Sequence, residues 1–157
     1  MTESQQFTAT LRLETLDDTA HLGARLAGAL APGDVVALHG DLGAGKTALA
    51  RTILQALGVT GPMPSPTFTL VQSYETVRLL VHHYDLYRIE DESELEELGF
   101  EDSLSDGAAL IEWPERAGSH LPSDALQVRL TIVDGEARMA TITGPKRWAA
   151  VFTSKDF

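Results

Sequence analysis

The chain has 157 residues, the size of one domain, with 43% hydrophobic residues and a formal net charge of −11 from 12 basic and 23 acidic side chains. This content supports an ordinary core rather than a disordered chain, and the negative charge argues against a protein that grips nucleic acid through its own surface. There is no cysteine, hence no disulfide framework and no zinc–thiolate site.

No apolar stretch approaches the roughly 20 residues of a membrane span, and no membrane partner is expected. The opening residues MTESQQFTAT lack the basic and apolar regions of a signal peptide, so a cytoplasmic protein is expected. FTATLRLET alternates and predicts a strand. Thr15 or Asp17 can cap the helix that follows, which carries Leu22, Leu26 and Leu30 on one face until APGD ends it.

DVVALHG (Asp34 to Gly40) is a short apolar run rich in β-branched residues, the pattern of a buried parallel strand. HGDLGAGKT (His39 to Thr47) follows, and Gly40, four residues, then Gly45-Lys46-Thr47 match the phosphate-binding P-loop G-x-x-x-x-G-K-[ST]. Bare glycines let backbone N–H groups converge on one anion. Asp41, Leu42, Gly43, Ala44 and Gly45 are therefore expected to cradle the phosphates. Lys46 would reach the β- and γ-phosphates, and Thr47 would offer its hydroxyl to Mg²⁺. The next residues, TALARTILQALG, place Leu49, Ile53, Leu54 and Leu57 at helical spacing, with Gly58 as a stop. The phosphates would then sit at a helix N-terminus, where the dipole favours negative charge.

GVTGPMPSPT (Gly58 to Thr67) is a Gly/Pro loop. FTLVQSYET and RLLVHHYDLYR predict two strands joined by a tight turn as an antiparallel hairpin. EDESELEELGFED (Glu90 to Asp102) holds eight carboxylates in thirteen residues and predicts a short helix broken at Gly99. It is either a solvated face or a docking patch for a basic partner. AALIEW is a short buried strand, and Pro114 starts a loop or helical turn. ALQVRLTIVDGEARMATIT predicts a hairpin around Asp134-Gly135. The whole predicts one α/β P-loop NTPase domain over residues 1–157. Its sheet would be mixed and partly antiparallel, flanked by helices and ending in a C-terminal β-hairpin.

A P-loop needs Mg²⁺ and an acid beside it, and in P-loop enzymes that acid closes a second apolar strand. Asp85 closes LLVHHYD and Glu112 closes AALIE, so both are candidates. The pattern alone leaves open which would be the metal ligand and which would orient water. Thr67, in SPTFT, is either a switch threonine that senses the γ-phosphate or a turn former after Pro66. His83 shares the strand face of Asp85, as a phosphate- or water-positioning group or a structural histidine, and His82 should face the other way. Trp113, directly after Glu112, is either core or a partner-binding or gating aromatic.

The segments HGDLGAGKT, SPTFTLVQSYE, HHYDLYRI, ELEELGFED and ALIEWPER, in this order and spacing, resemble the bacterial TsaE (YjeE) family. The match spans about Thr15 to Arg116. The resemblance implies a small ATPase of weak intrinsic activity required for the threonylcarbamoyl modification of the adenosine beside the tRNA anticodon. Its partner would be the TsaD–TsaB transferase complex, with tRNA touched only indirectly, while a separate enzyme makes threonylcarbamoyl-AMP. Carried over, Lys46 contacts phosphates, Thr47 and Glu112 bind Mg²⁺, and Asp85 is the essential acid. Thr67 lies in the switch-like loop, Trp113 is a functional aromatic, and Thr15 and Arg138 fall near the adenine. Competing readings are a small-molecule P-loop kinase and an ATP-gated adaptor without useful hydrolysis. Arg88 and Arg116 are present, but no arginine-rich lid segment is visible, and a GTPase is disfavoured because no N-K-x-D motif occurs.

Overall fold

Alternating side chains make Gln6–Leu13 strand β1, which buries Leu13 and leaves the Thr8, Thr10 and Arg12 side exposed. These coordinates are a computed structural model that describes residues 6–152. The first five residues, on which part of the leader reading rests, and both ends of the 1–157 span lie outside them. Thr15 caps helix α1 (Leu16–Ala29), its side chain accepting from the Asp18 N–H. Strand β2 (Val35–His39) leads through the P-loop into helix α2 (Lys46–Ala56). Strands β3 (Val71–Glu75) and β4 (Leu80–Asp85) form the expected antiparallel hairpin, closed by a Thr76 N–H to Leu79 carbonyl bond.

The acidic segment gives one turn of helix, α3 (Glu94–Glu97), and then α4 (Phe100–Asp106), with left-handed Gly99 between them. Leu95 is its buried anchor. Strand β5 (Gly107–Glu112) is buried throughout, as a strand flanked on both sides and covered on both faces must be. A 3₁₀ stretch, Pro114–His120, follows. The terminal hairpin is β6 (Leu126–Asp134) and β7 (Ala137–Pro145), turning at left-handed Gly135.

Among the described residues, seven strands form one sheet in the order β1-β7-β6-β2-β5-β4-β3. Strands β6, β2, β5 and β4 are mutually parallel, while β7 and β3 run antiparallel to their neighbours. This is the mixed α/β P-loop fold the pattern predicts. On one face α1 and α2 pack together over Leu38, Leu110 and Val128. Gly23 permits that crossing, because a Cβ there would stand 1.9 Å from Thr52 Oγ1. The other face is covered by α3, α4 and the 114–120 stretch, whose Ala117 packs with Tyr84, Ala109 and Ile111 of the sheet.

Two expectations need correction. The strand predicted from Phe68 begins only at Val71. The Leu70 N–H turns back onto the Pro66 carbonyl at 2.7 Å, and Leu70 has φ +70°, so residues 67–70 are a turn. Beyond the hairpin, Lys146–Phe152 forms a further 3₁₀ stretch that the alternation did not announce. It buries Trp148 in the core between the sheet and α1 and α2, and stacks Phe152 on Phe7 with centroids 5.7 Å apart.

Candidate functional site

The parallel strands β2, β5 and β4 end at one edge of the sheet, and a cavity of about 370 Å³ opens there. Ligands bind at this edge in open α/β folds. Its floor is the P-loop and the first turn of α2, through Gly43, Gly45, Lys46, Thr47 and Ala48, with Leu42 at the rim. Its wall is Asp85, Glu112 and Trp113, with Ser65 and Thr67 from the turn before β3. The glycines are required by geometry. Gly40 has φ +151°, and a Cβ there would meet the Leu130 carbonyl oxygen at 2.7 Å. Gly45 has φ +109° and starts α2 by accepting from the Leu49 N–H at 2.9 Å.

Asp85 and Glu112 are register partners on β4 and β5, and both are buried, at 5% and 2% exposure. The Thr47 hydroxyl shares its proton between the two oxygens of Glu112, at 2.9 and 2.8 Å. His83 Nε2 donates to Glu112 Oε2 at 2.8 Å. Asp85 makes a separate set of bonds. It accepts from the Thr67 hydroxyl at 3.2 Å and from the Tyr87 N–H at 3.1 Å. Thr67 thus belongs to the turn and also touches the acid, and it bonds Ser65 at 2.8 Å. His82 faces the opposite side of β4 and bonds Ser73.

Lys46 is buried at 5% exposure and donates to the Gly40 carbonyl. Burial holds its pKa below the ordinary 10.5, against the upward pull of Glu112, Glu115, Asp85 and Asp41. Its ammonium stands 3.4 Å from the centroid of the Trp113 ring. Trp113 is half-buried and left-handed, with φ 58° and ψ 52°. Its ring also packs at 5.0 Å from Tyr87, and it walls a second cavity of about 460 Å³ that reaches His39, Asp41 and Arg129. Tyr87 is a cavity residue the sequence analysis did not single out. Its position two residues beyond a strand-end acid was the available signal.

Thr15 and Arg138 lie at the same sheet edge, since Leu13 pairs with Arg138 in the β1–β7 register. Neither lines either cavity. Thr15 serves as a helix cap, and Arg138 donates to the P-loop carbonyls of Ala44 and Gly43 at 3.0 and 3.1 Å.

Residues 13–140 match the family model described as threonylcarbamoyl adenosine biosynthesis protein TsaE. Among similar proteins is the tRNA threonylcarbamoyladenosine biosynthesis protein TsaE of Rickettsia felis, 41% identical over 84% of this chain and 78% of that one. The proteins of the same name from Bacillus subtilis and Mycobacterium bovis are each 40% identical. The first covers 76% of both chains and the second 84% of both. The crystal structure of the Bacillus protein YdiB superposes with a TM-score of 0.78 and 28% identity over 94% of this chain and 93% of that one. The P-loop, the paired strand-end acids and these likenesses agree, and the chain belongs to the TsaE family.

Proposed function

We propose that this chain binds ATP with Mg²⁺ and hydrolyses it slowly on its own. This ATPase would serve the threonylcarbamoyl modification of the adenosine beside the tRNA anticodon in concert with the TsaD–TsaB complex. The observation that carries the reading is the Thr47 hydroxyl held on both Glu112 oxygens at the P-loop, beside buried Asp85. This donor set fits Mg²⁺, which takes oxygen ligands and is bound by one or two protein oxygens with phosphate and water. Thr47 and Glu112 would hold the ion. When bound, it neutralises charge on the phosphate oxygens.

The remaining roles fall to this chain's own groups. Lys46 leaves Trp113 and the Gly40 carbonyl to reach the phosphates. His83 keeps Glu112 turned toward Thr47. Asp85, fixed by Thr67 and the Tyr87 N–H, orients the attacking water. The turn at residues 65–70 responds to the nucleotide through Thr67. A net charge of −11 makes direct tRNA binding weak, so tRNA is met through the partner complex.

The test is phosphate release from ATP by the purified chain, alone and with TsaD–TsaB. Slow release alone and faster release with the complex is expected. Transfer of phosphate to a small acceptor would support a kinase. Nucleotide-dependent association with no release in either case would support an adaptor.

A further inference from the structure

We infer that Arg138 is a positioning residue for the phosphate-binding loop, acting on the loop backbone from behind rather than on the nucleotide base. The inference rests on the ATP-site reading above. Arg138 is the second residue of β7, beside the turn of the terminal hairpin and 94 residues from the loop it touches. Its Nε donates to the Ala44 carbonyl at 3.0 Å and its Nη2 to the Gly43 carbonyl at 3.1 Å. Nη1 donates to the hairpin carbonyls of Gly135 at 2.9 Å and Ala137 at 3.1 Å. Four of its five N–H groups are thus engaged with backbone, two on the loop and two on its own hairpin.

The consequence follows from peptide geometry. In a trans peptide the C=O and N–H point in opposite directions. Fixing the Ala44 carbonyl toward Arg138 therefore turns the Gly45 N–H away from it, on the side of the cavity that Gly45 lines. The preceding peptide is held twice, its carbonyl by Arg138 and its Ala44 N–H by the Asp41 carbonyl at 3.0 Å. Gly43 and Gly45 have φ of +83° and +109°, and neither carries a side chain that restricts its backbone. A glycine loop loses much conformational freedom when it becomes ordered. The Arg138 fork orders it before any phosphate arrives. Without that fork, only a fraction of molecules would present the loop in its binding form, and apparent affinity would fall by that fraction.

A base contact and a loop contact make different demands. A base contact matters only to ligands that carry a base. A loop contact matters to any ligand that carries the phosphate chain. The experiment is calorimetric titration of the full chain with ATP and with inorganic tripolyphosphate, both with Mg²⁺, for wild type, Arg138→Ala and Arg138→Lys. Melting curves of the free proteins confirm folding. Arg138→Ala should weaken both ligands by the same factor, about 10- to 100-fold. Arg138→Lys should recover less than half of that loss on a logarithmic scale, because an ammonium lacks the planar fork that reaches two carbonyls. Loss for ATP with unchanged tripolyphosphate affinity would assign Arg138 to the base and overturn the inference. Full recovery by lysine would reduce its role to charge and overturn it as well. Unchanged affinity in folded Arg138→Ala would do the same. Failure of wild type to bind either ligand would instead remove the ATP-site reading itself.

Discussion

Replacing Trp113 separates backbone strain, packing and function. Trp113 is left-handed, a conformation that costs an ordinary residue about 1–2 kcal/mol. Trp113 is half-buried, whereas Trp148 is 1% exposed in the core under α1 and α2. Trp148→Ala should therefore cost the full about 3–5 kcal/mol of a core aromatic. At 2–4 °C per kcal/mol for a chain of this size, that is a fall in melting temperature of about 6–20 °C. Trp113→Ala should cost less, about 2–3 kcal/mol, because part of the side chain is already in water. Trp113→Gly removes one more carbon and yet should be more stable than Trp113→Ala by about 1 kcal/mol, because glycine adopts this backbone freely. Both variants free Lys46 from a cation–π contact worth about 0.5–2 kcal/mol, so ATP affinity should hold or rise while stability falls. The assay is a set of thermal melts and ATP titrations on the three variants. An alanine variant more stable than the glycine variant would refute the strain argument. ATP affinity falling in step with stability would refute the account of Lys46.

Lys46→Met should raise the melting temperature of the nucleotide-free protein while abolishing tight ATP binding, because burial disfavours the ammonium in the fold. The sign is checked by pH. The folded pKa lies below the unfolded 10.5, so the unfolded chain binds the proton more tightly. The lysine's cost is fully present below the folded pKa and disappears as pH rises toward 10.5, so the gain in melting temperature should shrink over that window. A gain that is constant or grows with pH would contradict it. Gly40→Ala places a Cβ against the Leu130 carbonyl at a φ of +151°, and should cost about 2 kcal/mol or more and abolish ATP binding. Wild-type affinity in that variant would show that the loop relaxes without loss.

Much of this architecture was legible because its signals are local. Buried β2 and β5 read as apolar runs, the P-loop reads as a spacing of glycines, and Asp134-Gly135 reads as a turn. Asp85 and Glu112 were found as strand-end acids, but only the register of β4 on β5 brings them side by side. The Thr47–Glu112 pairing spans 65 residues and the Arg138 grip 94, and no sequence periodicity encodes either. The turn before β3 does not show in the sequence, because FTLVQSYE has strand-like composition throughout. The left-handed Leu70 that delays the strand is set by the Pro66 carbonyl and the Asp85 N–H bonding to the Leu70 carbonyl. Trp148 was silent for the same reason, since its burial depends on β1 and α1 closing over it from the far end of the chain.

The central claim is that Thr47 and Glu112 form the magnesium end of a triphosphate site, with Asp85 acting on water. ATP affinity measured by calorimetry with and without Mg²⁺, in wild type, Glu112→Gln and Asp85→Asn, tests it most directly. Each amide keeps the side chain's shape and removes its charge. The account predicts that Mg²⁺ strengthens ATP binding in wild type and Asp85→Asn, and that this strengthening is largely lost in Glu112→Gln. A full Mg²⁺ effect in Glu112→Gln, or its loss in Asp85→Asn alone, would contradict it.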